Sequence, residues 1–343
     1  MGHDLERMFS ANRVEPWHFS ETGADGRTLV IDGTLDRHAA QIAGGLGFGV
    51  ESRQVYVKET RTETRVLGRQ YTYEQEVLVP GFQAIVRDDT QAVLHVATDR
   101  TVLIQNSVLY DLMEAAVDLG LEYETSGVLR EGRTVFALAR MPEGITVGGD
   151  QFYPFLLGAT SHDGRSALRM KMTTVRVCCA NTLERADGGP GPGWAVRHTA
   201  SADIRIEEVK EALGLAGDQV EAFKTDAERL MNTPVTDAQY ASIVSSVFPG
   251  PPPDEATDRK IERVERRRNT VKAIYYDSPT IGEFQGTGWG TVNSVNEWEI
   301  WSARSGDPSP AVEAKHQQRH MLRVVDGDYP KTRAAGLLVA SLS

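Results

Sequence analysis

Up to Asn181 the chain reads mainly as strands, with apolar and polar positions alternating between two helical stretches; beyond Asn181 the spacing becomes helical. After an irregular start, Thr34 to Ala43 predicts a short helix with Thr34 as N-cap and Gly44-Gly45 as its stop. Val50 to Val57 is expected to be extended and to lead into a long hairpin, Val55 to Val66 and Arg69 to Val79, rich in Thr, Val and Tyr around a turn at Leu67-Gly68. Its tip is polar, so part of it is expected to project from the body. Two short strands, Phe82 to Arg87 and Val93 to Ala97, should follow across Asp88-Asp89. Next, Val108, Leu109, Leu112, Met113, Ala116, Val117 and Leu119 fall at helical spacing between a capping Ser107 and a terminating Gly120. A second hairpin joins Leu121 to Leu129 with Thr134 to Ala139. A third joins Phe152 to Thr160 with Ser166 to Cys179 through Asp163-Gly164, a dipeptide that favours tight turns.

Past Asn181, which with Glu184 has the spacing of a capping box, a Gly-Pro-rich stretch from Gly188 to Gly193 breaks the pattern. Helices are then expected over Ile206 to Met231, Asp237 to Val247 and Asp258 to Tyr276, with two more around 291–303 and 310–325. Strands first and helices later predict an α+β fold, in which an antiparallel hairpin-rich N-terminal lobe with one packed helix precedes a mainly helical C-terminal lobe. A length of 343 residues exceeds the roughly 250–300 at which single cores stop growing, so two domains are expected, 1–200 and 201–343.

Composition narrows the class. At 40% hydrophobic and 25% charged residues the chain is ordinary for a globular protein. Its longest apolar run, Ala335 to Leu342, falls far short of the roughly 20 residues a bilayer requires, so no membrane partner is expected. The start, Met1-Gly2-His3-Asp4-Leu5-Glu6-Arg7, has mixed charge and no apolar stretch after it, unlike a secretory signal. Cys178 and Cys179 are adjacent and read as reduced thiols, and a cytoplasmic location is expected. The net charge of −11 opposes contact with polyanions by the molecule as a whole. From Thr257 onward, however, 13 Lys+Arg stand against 11 Asp+Glu, so any polyanion site must be local.

Three segments are candidates for such a site. In the third hairpin, alternation puts Leu168, Met170 and Met172 on one face and Arg169, Lys171 and Thr173 on the other; with Arg165 this second face is basic. In the projecting hairpin, Arg61, Arg65, Arg69, Tyr71 and Tyr73 share parity, as a strip for stacked bases between phosphate contacts requires, although Glu63, Glu74 and Glu76 favour a solvated or subunit-contacting arm. In the helix from Asp258, Arg259, Lys260, Arg263, Arg266, Arg267 and Lys272 crowd onto a broad face. If the third hairpin keeps its register, Arg176 falls on the apolar face and needs a carboxylate or several carbonyls, with Asp163 or Glu184 as candidate carboxylates. His162 and Asp163 are neighbours in sequence and cannot form one dyad in an extended strand without a turn. His316 and His320, one helical turn apart, lack a third ligand nearby and read as part of a basic stripe, so no metal is expected.

No phosphate-loop, nucleophile-elbow or paired Cys-x-x-Cys pattern is present, and no cofactor is expected. Gly286-Thr287-Gly288-Trp289-Gly290 reads as a flexible helix N-terminus. Pro16-Trp17-His18, Gly45 to Val50, Ile104-Gln105-Asn106, Ser161-His162-Asp163-Gly164, Val175 to Leu183 and Gly288-Trp289-Gly290 occur in that order. Together they resemble the phage/plasmid-like protein family, a prokaryotic family carried by phages, prophages and plasmids. The resemblance implies a mobile-element setting among replication and recombination functions.

The reading that follows is a non-enzymatic accessory protein of DNA metabolism that binds single-stranded nucleic acid in the manner of an annealing or recombination-mediator protein. An enzyme acting on a phosphate-bearing substrate through His162, Asp163, Arg176 and Asn181 is the alternative. A third reading is a modulator that binds a host or phage protein. Exposed hairpins also invite a homo-oligomer.

Overall fold

The structure, a computed structural model, describes residues 5–11, 28–31, 33–64, 68–118, 120–176, 182–183, 194–196, 220–302, 323–324 and 329–342. Arg65, Asn181, Glu184, both cysteines, His316 and His320 lie outside these residues, as does the expected boundary near residue 200. So do most of the helix expected over 310–325 and the first half of that over 206–231.

Two sheets carry the first half of the chain. The larger follows the order β11-β10-β9-β7-β6-β1-β2 and uses β1 (Leu5–Ala11), β2 (Thr28–Ile31), β6 (Glu122–Leu129), β7 (Thr134–Arg140), β9 (Asp150–Ser161), β10 (Leu168–Arg176) and β11 (Thr182–Leu183). Short β8 (Ile145–Val147) pairs with β9, and β12 (Trp194–Val196) with β10. Apart from the parallel β1–β2 pair, neighbours run antiparallel. The smaller sheet is β3 (Val50–Thr64), β4 (Gln70–Arg87) and β5 (Val93–Thr98), in that order. The expected α+β architecture is the observed one.

The large sheet is buried on both faces, which explains strands that read as nearly continuous apolar runs. One face, with Val135, Ala137, Ala139, Leu156 and Met170, packs on α1 (Arg37–Ala43) and α2 (Asn106–Val117). The other, with Phe136, Leu138, Phe155, Leu157 and Ala159, meets Ile300, Val324 and Tyr329 from the helical part. That part comprises α3 (220–232), α4 (Asp237–Val247), α5 (Asp258–Asp277), α6 (Gly288–Glu297) with a π-helical turn at Trp298–Ser302, and α7 (Pro330–Ala340). Trp289 ties the helices to β9, packing on Phe152 with ring centroids 5.6 Å apart and donating from Nε1 to Asp150 Oδ2 at 3.1 Å.

Several boundaries differ from expectation for local reasons. α1 starts three residues after Thr34 because Asp36 is the cap, its Oδ1 accepting from Ala39 N at 2.8 Å. α2 begins at Asn106 without a side-chain cap. β4 is one strand from Gln70 to Arg87, where two were expected. It absorbs Pro80-Gly81 in a bulge: between the pairs Gln54–Gln83 and Tyr56–Leu78 it spends four residues against one of β3, and Gly81 supplies the left-handed φ of 79° the bend needs. Gly286 to Gly290 forms the expected helix N-terminus, and packing fixes Gly288 and Gly290. Thr287 caps α6, and a Cβ on Gly290 would lie 2.2 Å from Phe284 O, so glycine is there to let two backbones touch.

Candidate nucleic-acid interface

His162 follows the last residue of β9, in a turn that Ser161 braces by accepting from Ser166 N at 2.9 Å and donating to Ser166 O at 3.0 Å. The imidazole is 3% exposed, and its Nε2 lies 2.8 Å from Asn106 Oδ1. Asn106 in turn donates to Phe48 O at 2.8 Å, and the Phe48 ring meets the His162 ring edge-on at 6.2 Å. On that phenyl ring rests the guanidinium of Arg87, 3.8 Å from the centroid and 3% exposed, with Nε and Nη2 bonded to Asp89 at 2.9 and 2.7 Å. Asp89 is therefore held below the ordinary carboxylate range, first by the hydrogen bond from Arg87. This node locks the large sheet, α2 and the base of the small sheet together. It went unnoticed in the sequence, where its only trace is an Arg two residues before an Asp at the end of a strand.

Asp163 accepts from Arg165 N at 3.1 Å and pairs with Arg165 Nε at 3.3 Å, closing the turn with one charge against the other. Arg176 stands at the far end of β10, opposite Phe152, about 25 Å along the strand from its start. The structure thus brings His162 and Asp163 to one end of the hairpin and leaves Arg176 at the other. Within the alternating pattern, Arg169 and Lys171 do share a face, opposite Ala159 and Leu157. That face is the one covered by Ile300, Val324 and Tyr329; both cations are half-buried and neither is free, so the expected open basic strip of β10 is turned inward.

In the arm formed by β3 and β4 beyond the Pro80-Gly81 bulge, Arg61 lies opposite Tyr73 and Glu63 opposite Tyr71, so the predicted common face exists. Tyr71 and Tyr73 stack at 5.9 Å, and Tyr71 is 51% exposed. Acids match the strip: Arg61 pairs with Glu59 at 3.2 Å, and Tyr73 Oη donates to Glu63 at 2.7 Å. Arg69 is exposed just before β4 begins.

The third segment is α5. Its C-terminal half is clamped, with Val271 and Tyr275 buried, Tyr275 stacked on Tyr240 at 3.8 Å, and Arg268 donating to Phe248 O at 3.0 and 2.8 Å. Its N-terminal half, capped by Thr257 accepting from Lys260 N, is exposed among the described residues, with Ile261 45% exposed. At about 100° per residue, Arg259, Arg263, Arg266, Arg267 and Lys260 fill an arc of about 120° flanking the buried face. Lys272 belongs to the opposite flank, so the broad face expected from sequence is narrower. Lys260 pairs with Glu255 at 2.8 Å and Arg268 with Glu265 at 2.7 Å, whereas Arg259, Arg263, Arg266 and Arg267 are exposed and pair with no acid among the described residues. Beside these turns lies a recess of about 490 Å³ lined by Thr257, Arg259, Lys260, Glu262, Arg263 and Arg266. Four uncompensated guanidinium groups on one flank can bind phosphates through paired N–H donors at small desolvation cost.

Among the described residues no helix is long and apolar enough to cross a membrane, and no three His, Cys, Asp or Glu side chains cluster to hold a metal ion. A family model with the description Domain of unknown function (DUF932) matches residues 93–326. The match takes in the large sheet from β6 onward and α5, while the arm lies before it. Neither the curated proteins nor the solved structures gave a match.

Proposed function

We propose that this chain, which belongs to the DUF932 family, is a non-enzymatic nucleic-acid-binding accessory protein that grips single-stranded nucleic acid along the exposed flank of α5. The observation that carries this reading is the set of four arginines, Arg259, Arg263, Arg266 and Arg267, left without acidic partners among the described residues on a molecule of net charge −11. Evenly spread acids would have cancelled them; here the positive charge is concentrated on the half of α5 that, among the described residues, is the more exposed. Arg259, Arg263 and Arg267 follow one another at steps of about 6 Å along the axis, a spacing suited to successive phosphates of an extended strand.

A setting in phage or plasmid DNA metabolism, in the cytoplasm of the host, rests on the sequence resemblance, and annealing or recombination mediation is the role that fits it. Catalysis at His162 has less support, since that ring is enclosed and bonded to Asn106. The test is fluorescence anisotropy with a labelled oligothymidylate at low ionic strength. Wild type is expected to bind, and Arg263→Ala with Arg266→Ala to weaken binding about tenfold or more while the melting temperature holds. Absence of binding, or indifference to the substitutions, overturns the reading.

A further inference from the structure

β3 is an outer strand, and among the described residues nothing pairs with its free edge over 15 residues. Natural edges of that length are guarded by proline, by a bulge in the edge strand itself, by shortness or by charge; of these β3 carries only charge, in both signs, which a partner of matching register can answer. β3 contains neither Pro nor Gly, and the bulge at Gln54–Tyr56 adds its extra residues to β4. The outer face of the same sheet exposes Phe82 (47%), Val93 (52%) and Val96 (47%), and Val57 on β3 is 46% exposed. A two-stranded ribbon such as the arm is also marginal on its own in water.

The residues of β3 say what fits there. Directly opposed side chains of an antiparallel pair share a face, so a strand paired with its own copy across a two-fold axis joins positions of equal parity. Centring the axis on Tyr56 sets Glu51 against Arg61, Arg53 against Glu59, Val55 against Val57, Ser52 against Thr60 and Gln54 against Lys58. Every charged pair is then of opposite sign or faces a neutral amide, and the two valines meet each other. Centring on Val55 would oppose Glu51 with Glu59, and centring on Val57 would oppose Arg53 with Arg61 and Glu51 with Glu63. Glu51, Arg53, Glu59 and Arg61 lie on one face, where Arg53–Glu51 and Arg61–Glu59 are already ion-paired along the strand, so the cross-strand contacts extend two pairs into a ladder.

We propose that β3 is a homodimer interface, pairing antiparallel with β3 of a second copy across a two-fold axis at Tyr56 to build one continuous six-stranded sheet. Each arm then lies along the base of the other copy's small sheet, which gives the projecting ribbon the neighbour it lacks. This interface is separate from the α5 flank, and either proposal stands without the other.

Sedimentation equilibrium of the full chain tests it, with Glu51→Arg, Arg61→Glu and the double variant. Each single reversal creates two like-charged contacts per dimer and is expected to weaken self-association about tenfold or more; the double variant restores opposite charges and should recover it. Because both positions are exposed, far-UV circular dichroism should show all three folded, and their melting at concentrations where wild type is monomeric should match wild type. As a check on register, Tyr56→Cys faces itself and is expected to give a covalent dimer on mild oxidation beyond any wild-type background. A monomeric wild type, single reversals without effect, a double variant that stays dissociated, or Tyr56→Cys that does not cross-link overturns the proposal.

Discussion

A buried guanidinium needs its charge answered, and Arg87 shows how the small sheet is fastened by that need. Its partner Asp89 lies in a turn, with the ion pair at 2.7 Å on one side and the Phe48 ring below the guanidinium. Replacing Asp89 by Asn removes the carboxylate charge facing the buried Arg87 guanidinium and is expected to cost about 1–3 kcal/mol in urea unfolding at neutral pH. The sign of the pH dependence follows from the depressed carboxyl: the stabilisation is complete above its ordinary value of 3.8 and is lost as pH falls through the lower folded value, so the gap between wild type and variant should close in strong acid. Equal stability at pH 7 would refute the role. At Gly290, packing decides. Alanine there drives a methyl into Phe284 O and is expected to lower stability by about 1–3 kcal/mol, measurable as a drop in melting temperature. His162 shows the limit of sequence at this scale: adjacency to Asp163 suggested chemistry, whereas the partner that fixes it, Asn106, is 56 positions away.

Elements with strong local signals were legible. α4 covers the expected residues, aided by a capping box between Thr236 and Gln239, and α5 differs from expectation by one residue. The β6–β7 and β9–β10 hairpins formed where alternation and turn chemistry placed them. Elements defined by tertiary contact were not. β4 runs through Pro80-Gly81 because its partner strands hold it on either side, β8 is only three residues long, and α7 spreads Ala335 and Val339 over too few buried positions to announce itself. Alternation in β10 correctly separated Arg169 and Lys171 from Met170 but could not say that the helical part covers the polar face. Since the arm beyond the bulge buries little, replacing residues 59–75 by an Asn-Gly turn, which joins the paired residues Lys58 and Glu76, should leave the melting temperature within a few degrees of wild type while abolishing self-association. A collapse of the fold in that variant would show that the arm belongs to the core.

Across the whole molecule, charge and architecture divide the work. The acidic balance lies in the first 256 residues, and the C-terminal part carries the slight positive excess that α5 concentrates on one flank. Of the candidate cations, the fold turns those of β10 inward, matches Arg61 and Arg165 with acids and leaves those of α5 open, a sorting that depends on long-range packing and so could not be read along the chain. Counterion release measures this sorting directly, because each phosphate neutralised on a single strand steepens the plot of log affinity against log salt by about 0.7. The decisive measurement is that slope for oligothymidylate binding by wild type and by Arg263→Glu with Arg266→Glu. The α5 flank predicts a wild-type slope of about −2 to −3, made shallower by at least about 1.4 in the variant. A wild-type affinity independent of salt, or a variant line that overlies the wild-type one, would contradict it.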